Sequence, residues 1–279
     1  MFHKVCKQQA GRPVFILLEQ EQIMHRVAQH LYWDQYRDRH VKCCQSEYSG
    51  WSDRRPPTVC CENDKREQER LEEGTMKFDV NNLQWTREPK SCTISPDRIE
   101  IVTQPHTDLW QRTYYHFRND NAPVLQMATQ EKSFSFVVKT EFPESHHRFD
   151  QCGVVLYLDS ENWLKGSIEY ENERFQHLGS VVTNHGYSDW ATTEIPASIK
   201  SMWYRLSRRE DDFCIECSED GFVFRQMRVC HLHEAQGEIQ FGIYACSPED
   251  SSFRAVFTNM EMTECKWLAH DGQAPDEEC

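Results

Sequence analysis

In the run WLKGSIEY, Trp163 to Tyr170, an aromatic ring, an amine and a carboxyl group recur at even spacing. If the run is a strand, Trp163, Lys165, Ser167 and Glu169 share one face and Leu164, Ile168 and Tyr170 the other, because strand side chains alternate. Lys165 and Glu169 would then stand roughly 13 Å apart along that face, from the rise per residue. An aromatic plate beside charged hydrogen-bonding groups suits a polyhydroxylated ring, since a sugar offers apolar C–H faces and a polar edge. The same row also fits a solvated outer face on which charges pair across strands, although a large aromatic is uncommon there. Two other stretches offer matching groups. In DLWQR, Asp108, Trp110 and Arg112 share a face if extended, and SDW, Ser188 to Trp190, reads as a loop. The predicted ligand-binding set is therefore Trp110, Arg112, Trp163, Lys165, Glu169, Asp189 and Trp190, with the tryptophans stacking and the charged groups hydrogen bonding.

A sharper chemistry for the same row is cleavage of a glycosidic bond. EYENE places Glu169, Glu171 and Glu173 at every second position, and retaining hydrolysis needs two carboxyl groups about 5–5.5 Å apart, one with a raised pKa. ENERF, however, reads as the turn before the next strand, and residues in a turn no longer alternate. Glu169 is thus the one weak catalytic candidate. Metal chemistry finds less support. Cys214 and Cys217 of CIEC point to opposite faces of a strand and can share neither an ion nor a disulfide. The pairs Cys43–Cys44 and Cys60–Cys61 lack the spacing of a zinc site. His231 and His233 of HLH share a face and could bind an ion with a third ligand, but the sequence identifies none. RNDNAP lacks the spaced carboxylates of a calcium loop. No phosphate loop, dinucleotide fingerprint or nucleophile elbow occurs, so neither metal nor cofactor is predicted.

The elements that would position these residues are strands. From Met76 onward, short alternating runs are punctuated by glycine, proline, asparagine and aspartate, an all-β signature. FSFVVKTEF puts Phe134, Phe136, Val138 and Phe142 on one face and Lys139 and Glu141 on the other. FCIECSEDGFVFRQMRV reads as two strands joined by a tight turn at Asp220-Gly221. About ten or eleven such strands suit two packed antiparallel sheets. Residues 1–75 differ. They carry 12 basic and 12 acidic residues, so the whole net charge of −14 sits downstream. They also hold a helix-like run, FILLEQEQIMHRVAQHLYWDQYRD, with Ile16, Ile23, Val27 and Leu31 at roughly helical spacing.

The acidic field repels phosphate backbones and argues against a nucleic-acid partner. No run approaches the roughly 18 apolar residues of a membrane helix, and VFILL is shorter than a signal h-region. Thirteen cysteines form no disulfide-scaffold spacing and no N-x-S/T acceptor occurs, which fits reduced thiols in a cytoplasm.

The blocks TDLWQRTYYHFRNDNAPVL, FDQCGVVLYLDSENWLKGSIEYE, VVTNHGYSDW and FGIYACSPEDSSFRAVFTNMEM come in the order and approximate spacing of a known family. The chain resembles the regulation-of-enolase-like family, domain of unknown function 1349, over most of residues 76–267. That resemblance implies a concanavalin A-like β-sandwich, a jelly roll of the lectin and glucanase type, whose concave sheet would carry the polar members of the central strands. It also implies a protein-interaction module acting on a metabolic enzyme such as enolase. EYENE departs from the acidic strand motif of glucanases with this fold, because Glu171 stands where an aspartate is expected. The resemblance starts near Met76, which makes residues 1–75 an expected extension, partly helical or disordered, or an over-extended gene model. Residues 268–279 are an expected disordered tail. The leading expectation is a non-catalytic, lectin-like domain that binds a carbohydrate or sugar derivative in an open concave groove, with a glycosidase using Glu169 as the alternative.

Overall fold

The computed structural model describes residues 75–76 and 78–268. The helix-like run, the two adjacent cysteine pairs and the rest of the acidic tail lie outside them. The chain starts with short strands: β1 (Thr75–Met76), β2 (Gln84–Arg87), β3 (Cys92–Ser95), β4 (Arg98–Val102), β5 (Leu109–Gln111) and β6 (Arg118–Asp120). Longer ones follow: β7 (Val124–Thr129), β8 (Ser133–Glu141), β9 (Gln151–Asp159), β10 (Asn162–Tyr170), β11 (Phe175–Asn184) and β12 (Tyr187–Pro196). The fold closes with β13 (Ser201–Arg209), β14 (Asp212–Ser218), β15 (Arg225–His231), β16 (Ile239–Cys246) and β17 (Arg254–Thr263). The expected ten or eleven strands undercount these, because pieces of two to four residues are too short to show alternation.

One sheet runs β15-β14-β13-β8-β17-β4-β3, with β1 also on β17; the second runs β12-β11-β10-β9-β16-β7-β2. Their pairings are antiparallel. Together the sheets form the expected jelly-roll sandwich. The core lies between them, where Phe134 and Phe136 of β8 meet Phe241 of β16 with ring centroids 4.7 and 5.0 Å apart. Leu164 and Ile168 of β10 enter this core.

The other face of the second sheet is not left open. β5 and β6 form a separate two-stranded ribbon, and with their flanks they cover part of it. Leu109, Trp110 and Ala122 pack there on Val124, Val155, Tyr157, Trp163, Val181 and Tyr244 as a second apolar cluster. Every residue of β10 is consequently buried. The open concave groove is thereby narrowed to a cavity at one end of the face.

Two turn readings change. SDW is not a loop but the start of β12, paired with Val181, Val182 and Thr183 of β11. The turn is instead His185-Gly186, both at positive φ (49° and 74°), the geometry of a two-residue hairpin that glycine adopts without strain. Nor is Asp220-Gly221 a tight turn. Six residues separate β14 from β15, because the Asp220 carboxylate accepts from the N–H of Phe222 and Val223 and from Ser218 Oγ, folding a wider loop.

Candidate functional site

The cavity occupies about 360 Å³ between the outer face of β10 and the segment that carries β5 and β6. Lys165 and Glu169 form its floor, both 3 % exposed. Lys165 Nζ donates to Gln151 Oε1 (2.8 Å) and Asp108 Oδ1 (3.3 Å). Tyr244 Oη donates to the same Gln151 oxygen (2.9 Å) and lies 2.6 Å from Ser167 Oγ. This polar chain ties down the Lys165 part of the floor.

The two charged floor residues differ in how their charge is held. Burial pulls the Lys165 ammonium down, but the acids around it, Asp108, Cys246 and Glu169, outweigh burial and leave it above its ordinary value. Glu169 has no lysine or arginine within ion-pair distance among the described residues. Its partner is Trp190, whose Nε1–H donates to Oε2 at 3.1 Å. Burial therefore pushes the carboxyl up to about 7, against the smaller opposing pull of Lys165. Near neutrality such a group can both accept and donate a hydrogen bond. Space for it comes from β11, because a Cβ at Gly179 would overlap the Glu169 carboxylate.

The wall is aromatic. Trp190 packs edge-on against Trp110 (6.3 Å), Trp110 against Tyr115 (5.6 Å), and Tyr115 leans on Phe117 (6.0 Å). The loop between β5 and β6 that presents Tyr115 and Phe117 holds Arg112, Tyr114 and His116 at φ of 55°, 60° and 61°. Three left-handed non-glycine residues in one short loop are uncommon, and such conformations gather at ligand clamps and active sites.

Four of the seven residues expected at the site, Trp110, Lys165, Glu169 and Trp190, line this cavity. Three do not. Trp163 shares the expected face but is fully enclosed in the second apolar cluster, so it can offer no plate to a ligand. Arg112 leaves the face of Asp108 and Trp110 because β5 ends at Gln111 and its own φ is positive; its guanidinium pairs with Glu161 and the Gly186 carbonyl. Asp189 points away and pairs with Arg228 at 3.0 Å. Glu171 lies past the end of β10, where it pairs with Arg148, so the glutamates do not form one catalytic row. Gln151, Tyr115 and Phe117 were missed. TYYHF, an aromatic run inside a polar loop, was a legible hint for the last two. Gln151 becomes visible only once β9 and β10 pair and set it opposite Glu169.

A larger cleft of about 670 Å³ opens at the sandwich edge between β12, β14 and β15. No aromatic ring lines it, so it lacks the stacking surface of the β10 cavity.

Residues 85–265 match the family model described as protein of unknown function (DUF1349). The chain belongs to this family. Over 180 residues it is 27 % identical to Regulation of enolase protein 1 of Saccharomyces cerevisiae, covering 64 % of this chain and 88 % of that one. A solved structure described as a functionally unknown protein from the same yeast superposes with a TM-score of 0.63 at 26 % identity, over 69 % of this chain and all of the other. At 15 % identity and a TM-score of 0.52, xylan beta-1,4-xylosidase from Bacillus halodurans shares the fold over 67 % of this chain and 38 % of its own. Among the described residues of this family member, no helix is long and apolar enough to cross a membrane.

Proposed function

We propose that the chain is a lectin-like domain that binds a carbohydrate or sugar derivative in the cavity over β10 without cleaving it. The observation that supports this most is the placing of the buried Glu169 and Lys165 at the foot of the Trp190–Trp110 wall. Rings for C–H faces stand beside groups that exchange hydrogen bonds with hydroxyls, in a volume typical of small-ligand sites. Seven cysteines among the described residues are all free thiols, which supports a reducing, cytoplasmic setting.

A second reading is favoured by one feature. A carboxyl poised at about 7 is tuned for proton transfer, and Asp108 supplies a second carboxylate on the same cavity. Against it, Asp108 is occupied by Lys165 and by the N–H of Leu109.

The test is a thermal-shift panel of monosaccharides, oligosaccharides and sugar phosphates on the full chain. At a hundredfold excess over Kd, a binder raises Tm by roughly 5–10 °C for a domain of this size. The shift is expected to vanish in Glu169→Gln and Trp190→Ala and to persist in Asp189→Ala. Turnover of a ligand that binds would move the assignment to the acid–base reading. Silence across the panel, with a metabolic enzyme co-purifying from a lysate, would replace the sugar site with the regulatory role that the yeast relative's name suggests.

A further inference from the structure

Away from the cavity, three turns meet at one corner of the sandwich. Asp211 and Asp212 come from the β13–β14 turn, His231 and His233 from the end of β15, and His185 from the β11–β12 turn. One ligand atom from each of Asp211, Asp212 and His231 lies within 4.8 Å of the other two. His231 Nδ1 is 2.9 Å from Asp212 Oδ1, and its Nε2 is 3.9 Å from Asp211 Oδ2. The His233 ring stands edge-on to His231 with centroids 4.7 Å apart, and His185 stacks on His233 at 5.3 Å. We propose that Asp211, Asp212 and His231, completed by His233, bind a divalent transition-metal ion.

The local backbone holds these groups together before any ion arrives. Leu232, between the two histidines, is buried in the core, and its N–H donates to the Asp211 carbonyl. The Asn184 side chain grips the same stretch from both ends, donating to the His231 carbonyl (3.0 Å) and accepting from the His233 N–H (3.1 Å). Ligand-bearing segments fixed in this way lose little entropy on binding an ion.

Charge points the same way. Among the described residues, Asp211, Asp212 and Glu234 find only histidines as ion-pair partners. The neighbouring cations are engaged elsewhere. Arg208 donates to the carbonyl oxygens of Glu131, Glu210, Ala235 and Gly237, and Lys132 pairs with Glu210. Asp211, Asp212 and Glu234 thus have no lysine or arginine at ion-pair distance among the described residues, on an already acidic protein. Mixed imidazole and carboxylate donors suit zinc or its neighbours, whereas calcium takes six to eight oxygens. The HLH motif thus finds in Asp211 and Asp212 the third-ligand partners that the sequence did not identify.

Cobalt(II), and then zinc(II) displacing it, titrated into the reduced full chain at about pH 7.5 tests the site. Because thirteen cysteines compete for such ions, the titration is repeated after thiol alkylation. One cobalt ion per chain is expected, with nitrogen and oxygen ligand-field bands and no thiolate charge-transfer band, before and after alkylation. His231→Gln and Asp211→Asn should weaken binding at least tenfold. Asn184→Ala, which touches only the backbone of the motif, should weaken it about tenfold, the scale of losing an outer-shell support. Binding should also weaken on acidification, because protons compete with the ion for its ligands. These side chains are at least partly exposed, so an ion-free Tm close to that of the parent certifies each variant as folded. A thiolate band, loss of binding on alkylation, or equal affinity in parent and His231→Gln would overturn the proposal.

Discussion

On β10, the inward row of Leu164 and Ile168 enters an apolar core built largely of phenylalanine, leucine, isoleucine, valine and methionine. The outward row of Trp163, Lys165, Ser167 and Glu169 is equally dry, but it is divided along its length. Its Trp163 end is sealed under β5 by a second apolar cluster, whereas its Glu169 end keeps a cavity over buried charge. Burial alone therefore does not distinguish structure from function here. What separates the two ends is whether enclosure is finished by apolar packing or left to polar groups around a void.

The largest expected effect tests the sealed end. Trp163→Ala should lose about 3–5 kcal/mol of stability, the range for truncating a buried aromatic ring. That would match or exceed Leu164→Ala on the inward row, at about 2–5 kcal/mol. Chemical denaturation with an unchanged m-value would measure both. A loss below about 1 kcal/mol for Trp163→Ala would mean that the cover formed by β5 is loose and that the face is an open groove after all.

The next effect belongs to the Glu169 end and depends on pH. Its folded pKa of about 7 lies above the ordinary value of about 4.3, so between these values the folded state binds the extra proton. The contribution is complete below about pH 4.3 and is lost as pH rises through 7. Unfolding free energy should thus fall by an amount on the order of 3 kcal/mol across that window, and Glu169→Gln should flatten the slope. A parent and variant with parallel pH profiles would place Glu169 in water and remove the distinction between the two ends of the row.

These two residues also show what could be read in advance. Alternation placed both on one face, and in β8 it correctly paired Phe134, Phe136 and Val138 with the core, because a period of two survives in any strand long enough to display it. Their different fates could not be read, since Trp163 is sealed by Leu109 and Trp110, more than fifty positions away in the chain. SDW looked like a loop because β12 is an edge strand with a mostly exposed face, so it carries no apolar alternation. Asp211 and Asp212 reach His231 only through the meeting of two hairpin ends, and pairing register is a property of the fold rather than of either segment.

Gly179 sharpens the division at smaller cost. A methyl group there would press on the Glu169 carboxylate rather than on the core, so Gly179→Ala should cost about 1–3 kcal/mol, typical of overpacking. It should abolish ligand shifts while leaving a cooperative unfolding transition. If Gly179→Ala kept the full ligand response, the carboxylate could yield without consequence and the floor would not be pre-organised.

Trp190→Phe makes the smallest change, because it keeps a ring on the wall and removes one donor. The lost Nε1–H bond to Glu169 should cost on the order of 1 kcal/mol. Its more telling effect is on titration. That bond favours the ionised carboxylate, so without it the Glu169 pKa should climb further above 7, and the pH at which stability is lost should move up with it. Carboxyl-carbon chemical shifts followed through pH would report this directly. A pKa that instead dropped toward 4.3 would show that replacing the indole lets water reach the carboxylate. The ring, more than its N–H, would then be what keeps the Glu169 end of the row dry.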